Sequence, residues 1–250
     1  MYNNAQILEL FEQSLRQLRT PEEPELLYAP IIYSMSGGGK RLRPVLLLLS
    51  TEAFGGSVDE AMTAAMAVEV FHNFTLLHDD IMDNADMRRG KPSVFAKWGE
   101  NVAILSGDAM LITAYKLLAE LNPTKLPRVM RLFNDMALEV CEGQQYDMDF
   151  ESQAKVSVVD YIQMIERKTS ALLSGSAMIG ATLAEASDDD VRKMVPRMPT
   201  SSSSTALPQS SALRSSFRTT SSTAMAMRPS ARRLVATSLR ASRPTLWCRL

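Results

Sequence analysis

Apolar residues recur at helical spacing through most of the first 190 residues. Near the start they fall three and four positions apart, at Ile7, Leu8, Phe11, Leu15 and Leu18, which is typical of an amphipathic helix. Ser57 and Asp59 are candidate caps for a long helix that reaches about residue 83. Further helices are predicted over residues 102–121, 126–145, 160–168 and 172–186.

The breaks between these helices fall at residues 37–39, 89–92 and 122–123, where Gly and Pro are concentrated. No stretch alternates with period two, and no hairpin dipeptide separates two strand-like runs. The sequence therefore predicts an all-α fold. Small residues at Gly175, Ser176 and Gly180 are expected to let neighbouring helices approach closely.

The charge is divided unevenly along the chain. The formal net charge is only −1, yet residues 1–190 hold 16 basic and 28 acidic residues, a net −12, whereas residues 191–250 hold 11 basic residues and no acidic ones, a net +11. The second part is also rich in Ser, Thr and Pro. We expect a helical domain over residues 1–193 and, over 194–250, a tail whose composition favours disorder.

Several classes of protein are expected to be excluded. Two cysteines, Cys141 and Cys248, are too few for a disulfide framework, which favours a reducing, cytoplasmic location. The first 18 residues lack the basic start and apolar block of a signal peptide. The longest strongly apolar run, residues 45–49, is far too short to cross a bilayer.

A string of carboxylates ends the long helix, in the sequence LLHDDIMD at residues 76–83. Asp79 and Asp83 are one turn apart and share a face, with Asp80 at its edge. Like charges at this spacing repel, and Mg²⁺, a hard cation that prefers oxygen ligands and keeps waters or phosphate oxygens, would relieve the repulsion. The alternative is a solvated acidic helix end.

Two basic clusters flank these carboxylates. The first, in GGGKRLRP at residues 37–44, offers three cations and free backbone N–H groups to an anion, although it lacks the spacing of a nucleotide P-loop. The second is Arg88-Arg89-Gly90. Each alone is compatible with a solvated turn. Together with the aspartates they favour one site for two anionic substrates bridged by Mg²⁺.

His72 precedes Asp79 by seven residues and lies nearly on the same helix face. It is a candidate donor to a phosphate oxygen. A single helical histidine is more often an ordinary core or surface residue, so only its position favours function.

Six motifs resemble the trans-isoprenyl diphosphate synthases, the family of farnesyl and geranylgeranyl diphosphate synthases. In order they are GGKRLRP (38–44), FHNFTLLHDDIMD (71–83), MRRGKPS (87–93), SGDAML (106–111), EGQQYDMDF (142–150) and IERKTSALL (165–173). The resemblance implies an antiparallel helix bundle around a deep cavity, usually a homodimer.

The resemblance also implies a role for each matching residue. Asp79 and Asp83 would bind Mg²⁺ on an allylic diphosphate, assisted by Asp80, and these three with Lys168 are the expected catalytic residues. The expected isopentenyl diphosphate site comprises Gly39, Lys40, Arg43, His72 and Arg89. The expected allylic diphosphate site comprises Arg88, Lys168, Thr169, Gln144 and Asp147.

The implied reaction is ionisation of the allylic diphosphate, attack by the double bond of isopentenyl diphosphate, and loss of a proton, with the departing pyrophosphate stabilised electrostatically. Product length in the family follows the bulk just before the first aspartate, here Phe74 and Thr75. The aromatic ring suggests a C15 or C20 product, and its alternative role is simply in the core.

The tail lacks the second aspartate-rich helix of that family. Residues 187–190, Ser-Asp-Asp-Asp, are better interpreted as a helix N-cap. Permitted codons for residues 215–227, read two nucleotides later, give QLQDDLLDSYGD, and the same offset over 235–246, begun at the last nucleotide of codon 234, gives GGDILAGKQTYL. We hypothesise a frameshift between about residues 193 and 211, and expect little activity from the chain as written.

Two alternatives to a prenyltransferase remain open. A class I terpene cyclase shares the DDxxD helix but does not need Lys40 and Arg43 to bind isopentenyl diphosphate. A non-catalytic subunit or pseudoenzyme would keep the fold and lack the second motif. A nucleic-acid or membrane role for the basic tail is the weaker interpretation.

Overall fold

A computed structural model describes residues 2–194. Within this range the chain is almost entirely helical, which confirms the predicted all-α fold. The tail predicted over 194–250 lies outside the described residues apart from Met194. The helices are α1 Asn4–Gln17, α2 Glu25–Met35, α3 Leu42–Ala53, α4 Val58–Met82, α5 Val94–Trp98, α6 Glu100–Ala119, α7 Leu126–Glu151, α8 Val158–Ile165, α9 Ala171–Leu183 and α10 Asp188–Arg192.

The predicted helices agree with the structure, and of the two candidate caps for the long helix Ser57 is the cap, whereas Asp59 lies in the first turn of α4. Ser57 caps α4 by accepting a hydrogen bond from the backbone N–H of Glu60, and Ser187 caps α10 by accepting from that of Asp190. The largest difference in length is at α7, which runs to Glu151 rather than ending near residue 145. Between α8 and α9 the chain forms a π-helical segment, Glu166–Ser170, where continuous α-helix was predicted to residue 168.

Helix α3 was not predicted, and burial explains why. Leu47, Leu48 and Leu49 are all at most 1% exposed. A helix that is buried on every side has no polar face, so its sequence shows an apolar run instead of helical periodicity. Helix α2 was also missed, and it carries an internal proline, Pro30.

A small hairpin interrupts the helices between α4 and α5. Strand β1, Met87–Arg88, pairs antiparallel with β2, Lys91–Pro92. The two-residue turn between them has positive φ at both Arg89, +53°, and Gly90, +78°, as a type I′ hairpin turn requires. The sequence predicts only a break between helices here, because strands of two residues are too short to show alternation.

The core lies between α4 and the helices packed around it. Phe71 of α4 contacts Phe133 of α7 with ring centroids 5.2 Å apart. The predicted close approach at small residues is confirmed: a Cβ atom on Gly175 would lie 2.4 Å from Met136 Sδ, and one on Gly180 would lie 2.1 Å from the carbonyl oxygen of Leu47. Any larger residue there would push helices apart.

Among residues 2–194, α6 alone is long and apolar enough to meet a length and composition criterion for a membrane span. A core helix meets the same criterion. Here α6 packs along α4 and α2, and 39% of its apolar window is buried.

Candidate active site

The carboxylates at the end of α4 lie in different environments. Asp80 is buried, with its side chain 5% exposed, whereas that of Asp79 is 17% exposed. Asp83 is the C-cap of the helix. Burial raises the pKa of Asp83, and the charge of Asp79 raises it further. Asp79 and Asp83 therefore lie close enough to repel each other, as their spacing predicted.

Lys168 joins this group from the π-helical segment. Its Nζ lies 2.6 Å from Asp147 Oδ2 on α7 and 3.3 Å from Asp79 Oδ1. Although burial opposes its charge, the hydrogen bond to Asp147 and the charge of Asp79 raise the pKa of Lys168. The ammonium therefore stays protonated between two carboxylates.

A glycine on α7 allows Lys168 to come so close. A Cβ atom on Gly143 would lie 2.2 Å from the backbone nitrogen of Lys168. The π-helical turn and this glycine together bring the segment against α7. Neither was singled out by the sequence interpretation, since a π-turn has no simple periodic pattern.

Arg88 pairs with the buried aspartate. Its Nε donates to Asp80 Oδ1 at 2.8 Å and its Nη2 contacts the same oxygen, while Nη2 stays 3.9 Å from Asp79 Oδ2. Asp80 was expected to assist at the metal, but in the structure its carboxylate holds Arg88 beside Asp79.

These residues suit a hard cation only in part. No group of three or more His, Cys, Asp or Glu side chains within residues 2–194 is arranged to hold a metal ion. The oxygen donors of Asp79 and Asp83, and the repulsion between them, fit Mg²⁺ that takes its remaining ligands from water and phosphate.

The second cluster joins α3, α4 and the hairpin. Arg43 Nη1 lies 3.0 Å from His72 Nε2. Because a guanidinium only donates, Nε2 accepts, which places the imidazole proton on Nδ1. Burial and the surrounding arginines, first Arg43 and then Arg89, hold the pKa of His72 well below its usual value, so the ring is neutral.

This cluster also has an unused donor. The Nε of Arg43 is buried and has no hydrogen-bond partner among the described residues. Burial lowers the pKa of Arg43, and the charge of Arg89 lowers it further against the effect of Glu69. A buried donor without a partner is costly, and an anion at this position would satisfy it.

Arg89 reaches the glycine-rich loop. Its Nη1 donates to the carbonyl oxygen of Gly38, and a Cβ atom on Gly39 would lie 3.2 Å from its guanidinium carbon. Gly39 has φ +147°, so the loop needs glycine here both for its backbone and for its contact with Arg89.

The expectation that all three cations of this loop face an anion was wrong. Arg41 is 5% exposed and pairs internally with Glu12 and Glu69. Lys40, beside it, is exposed.

The remaining predicted residues lie at various distances from these groups. Gln144 lies on α7 with Nε2 4.0 Å from Met82 Sδ, close to the end of α4. Thr169 is exposed on the π-helical segment. Phe74 is part-buried and packs on Phe71 and His78, with centroids 5.6 Å and 4.7 Å away.

Thr75 Oγ1 donates to the carbonyl oxygen of His72 at 2.8 Å. The hydroxyl is therefore satisfied within its own helix.

Consecutive arginines of the hairpin connect the two clusters. Arg88 binds Asp80 at the end of α4, whereas Arg89 binds the glycine-rich loop. The tight turn thus places a carboxylate cluster and a guanidinium cluster side by side.

Residues 24–198 match the family described as Polyprenyl synthetase. The chain belongs to the polyprenyl synthetase family. Among its relatives, "Geranylgeranyl diphosphate synthase" of Methanosarcina mazei is 44% identical over 180 residues, which cover 71% of this chain and 56% of that protein. A second protein so named, from Sulfolobus acidocaldarius, is 42% identical over 172 residues, which cover 67% and 52%. The chain thus spans little more than half the length of these family members.

Solved structures from the family agree with the fold. A crystal structure of a geranylgeranyl pyrophosphate synthase aligns with a TM-score of 0.76 and 47% identity, covering 78% of this chain and 59% of the other. The geranylgeranyl pyrophosphate synthetase of Pyrococcus horikoshii Ot3 aligns with a TM-score of 0.72 and 37% identity, covering 76% and 60%.

Proposed function

We propose that this chain derives from a short-chain polyprenyl diphosphate synthase that condenses isopentenyl diphosphate with an allylic diphosphate. The observation that carries the proposal is the pair of adjacent clusters joined by Arg88 and Arg89. One offers carboxylates with two cations, and the other offers guanidinium groups with a buried, unpartnered donor at Arg43. Two different diphosphates need these two kinds of site.

The carboxylate cluster is proposed to bind the allylic diphosphate. Asp79 and Asp83 would hold Mg²⁺, which supplies charge that stabilises the leaving pyrophosphate. Lys168 and Arg88 would exchange part of their contact with Asp79 for phosphate oxygens, and Asp80 would keep Arg88 in place.

Thr169, Gln144 and Asp147 would complete this cleft. Asp147 already fixes the ammonium of Lys168 at 2.6 Å. It is therefore proposed to orient that cation rather than to contact the diphosphate, since two anions would repel.

The guanidinium cluster is proposed to bind isopentenyl diphosphate. Arg43 and Arg89 would donate to phosphate oxygens, with the backbone of Gly39 and the side chain of Lys40 at the loop. His72 accepts from Arg43 through Nε2, which leaves its Nδ1–H as its donor. Positive charge without metal suits a substrate whose diphosphate does not leave.

Product length is proposed to depend on Phe74 and Thr75. The ring of Phe74 packs against His78, one turn further along α4. A growing chain that reached this ring would stop there, so a C15 or C20 product is expected. The relatives named above carry names of C20 synthases.

A homodimer is proposed as the assembled form. Leu105 and Ile112 lie seven residues apart on one face of α6 and are 60% and 61% exposed. Apolar side chains so exposed on one helix face favour contact with another protein surface.

The activity is tested with labelled isopentenyl diphosphate and a set of allylic diphosphates. The protein to use is one whose reading frame is restored so that residues 215–227 become QLQDDLLDSYGD. We expect Mg²⁺-dependent elongation. Cyclised products would indicate a terpene cyclase, and no turnover with any allylic diphosphate would indicate a pseudoenzyme; either result would contradict the proposal.

A further inference from the structure

Arg41 is buried although it belongs to the anion-binding loop. Its guanidinium makes three contacts: Nη1 lies 2.6 Å from Glu69 Oε1, Nε lies 2.9 Å from Glu12 Oε1, and Nη2 donates to the carbonyl oxygen of Met35 at 2.9 Å. We call Arg41, Glu12 and Glu69 the arginine anchor. It ties the start of α3 to α1, α2 and α4.

The backbone at Arg41 needs support. Its φ and ψ are +47° and +35°, and it caps α3 without a side-chain cap. Left-handed backbone is unfavourable for a residue other than glycine, so the side-chain contacts of the anchor must hold it there. This turn sets the direction in which Lys40 leaves the loop and Arg43 enters the helix.

Glu69 is fixed on its own helix. Its side chain is 2% exposed, and Oε1 also accepts from Asn73 Nδ2 at 3.1 Å. One turn further along α4 lies His72, which accepts from Arg43 at 3.0 Å. The anchor and the Arg43–His72 contact therefore connect the same two helices at two successive points.

We propose that Glu69 and Glu12 are positioning residues that act through Arg41 to hold Lys40 and Arg43 in register with His72 and Arg89 for a diphosphate. The inference rests on the proposed function, because it assigns the anchor to the site for the diphosphate that binds without metal. The carboxylates do not touch the ligand.

Electrostatics and positioning predict opposite effects of removing the charge of Glu69. Glu69 is the carboxylate that acts on Arg41, Arg43 and Arg89 together, favouring the charged form of each. If its charge only moderated the cluster, Glu69→Gln would make the site more positive and strengthen anion binding. If it positions the loop, the same change weakens binding.

The experiment is calorimetric titration of inorganic pyrophosphate into the protein, once with a chelator and once with Mg²⁺. Without metal, pyrophosphate reports on the guanidinium cluster, and with Mg²⁺ it also reports on Asp79 and Asp83. For Glu69→Gln we expect about tenfold weaker binding without metal, the effect of replacing a charged hydrogen-bond acceptor by a neutral one, and less than about twofold change in the Mg²⁺-dependent step.

Matched variants separate positioning from folding. Glu60→Gln, on the exposed part of the same helix and paired with Lys125 at 3.5 Å, should bind pyrophosphate as the unchanged protein does. Glu12→Gln removes the negative charge from a contact whose carboxylate is 31% exposed, and should weaken metal-free binding by a smaller factor. Glu12→Gln still tests the proposal if Glu69→Gln does not fold.

The proposal is overturned if Glu69→Gln, or Glu12→Gln in its place, binds metal-free pyrophosphate as tightly as the unchanged protein or more tightly. Equal loss in both conditions would also overturn it, by showing a general effect on folding. If the unchanged protein bound pyrophosphate in neither condition, the proposed function would fail together with the anchor's role.

Discussion

At the scale of single residues, the site depends on groups held in unusual states. His72 is neutral because it is buried among arginines, and Asp79 and Asp83 stay close despite their repulsion. Such arrangements are typical of sites awaiting a charged ligand. A diphosphate would bring negative charge to the arginines around His72, and Mg²⁺ would bring positive charge to Asp79 and Asp83.

The lowered pKa of His72 makes stability depend on pH. Below about pH 6.5, the usual pKa of histidine, His72 is protonated in the unfolded chain but stays neutral in the folded protein. The contribution of His72 to the free energy of unfolding is therefore fully present above that pH. It is lost as the pH drops, by at most about 1.4 kcal/mol for each pH unit. His72→Gln, which can still accept from Arg43, should remove this part of the loss.

The measurement is urea unfolding at pH 7 and at pH 5, for the unchanged protein and for His72→Gln. His78, 25% exposed, remains in both and cancels in the comparison. An equal loss of stability on acidification in both proteins would show that His72 is not held neutral by the fold.

At the scale of elements, close contact between α7 and the π-helical segment positions Lys168. Gly143→Ala would place a methyl group 2.2 Å from the backbone nitrogen of Lys168. Backbone cannot rotate out of the way, so we expect a loss of about 1–3 kcal/mol in the free energy of unfolding and weaker Mg²⁺-dependent pyrophosphate binding.

Gly107→Ala is the matched control. Its methyl group would also lie 2.2 Å from its nearest neighbour, but that neighbour is the side-chain Nε2 of His78, which can turn. Urea unfolding should show a smaller loss for Gly107→Ala than for Gly143→Ala. The reverse order would contradict the role given to the α7 contact.

The sequence predicted best those elements that carry a visible pattern. Amphipathic periodicity located the long helices, Ser57 and Ser187 located the starts of α4 and the short α10, and the motif order located most of the site. The buried α3 has no polar face to reveal it, and the ion pairs of Arg41 with Glu69 and Glu12 join residues 28 positions or more apart in sequence. Such long-range pairs cannot be derived from local spacing.

At the scale of the whole molecule, two stretches of opposite charge meet near Met194, with net charges of −12 over residues 1–190 and +11 over residues 191–250. Both the carboxylate cluster and the guanidinium cluster lie in the acidic part. The frameshift hypothesis places a second aspartate-rich motif in the basic part. In the condensation assay, the chain as written should be at least about 100-fold slower than the frame-restored protein, because part of the charge stabilisation of the leaving group is missing.

The most direct test of the central claim is whether Mg²⁺ strengthens pyrophosphate binding through the carboxylates at the end of α4. Calorimetry with and without Mg²⁺ should show tighter binding with the metal in the unchanged protein. Asp79→Asn and Asp83→Asn should each abolish that gain and leave metal-free binding intact. Equal affinity with and without Mg²⁺, or a gain that survives both substitutions, would contradict the account.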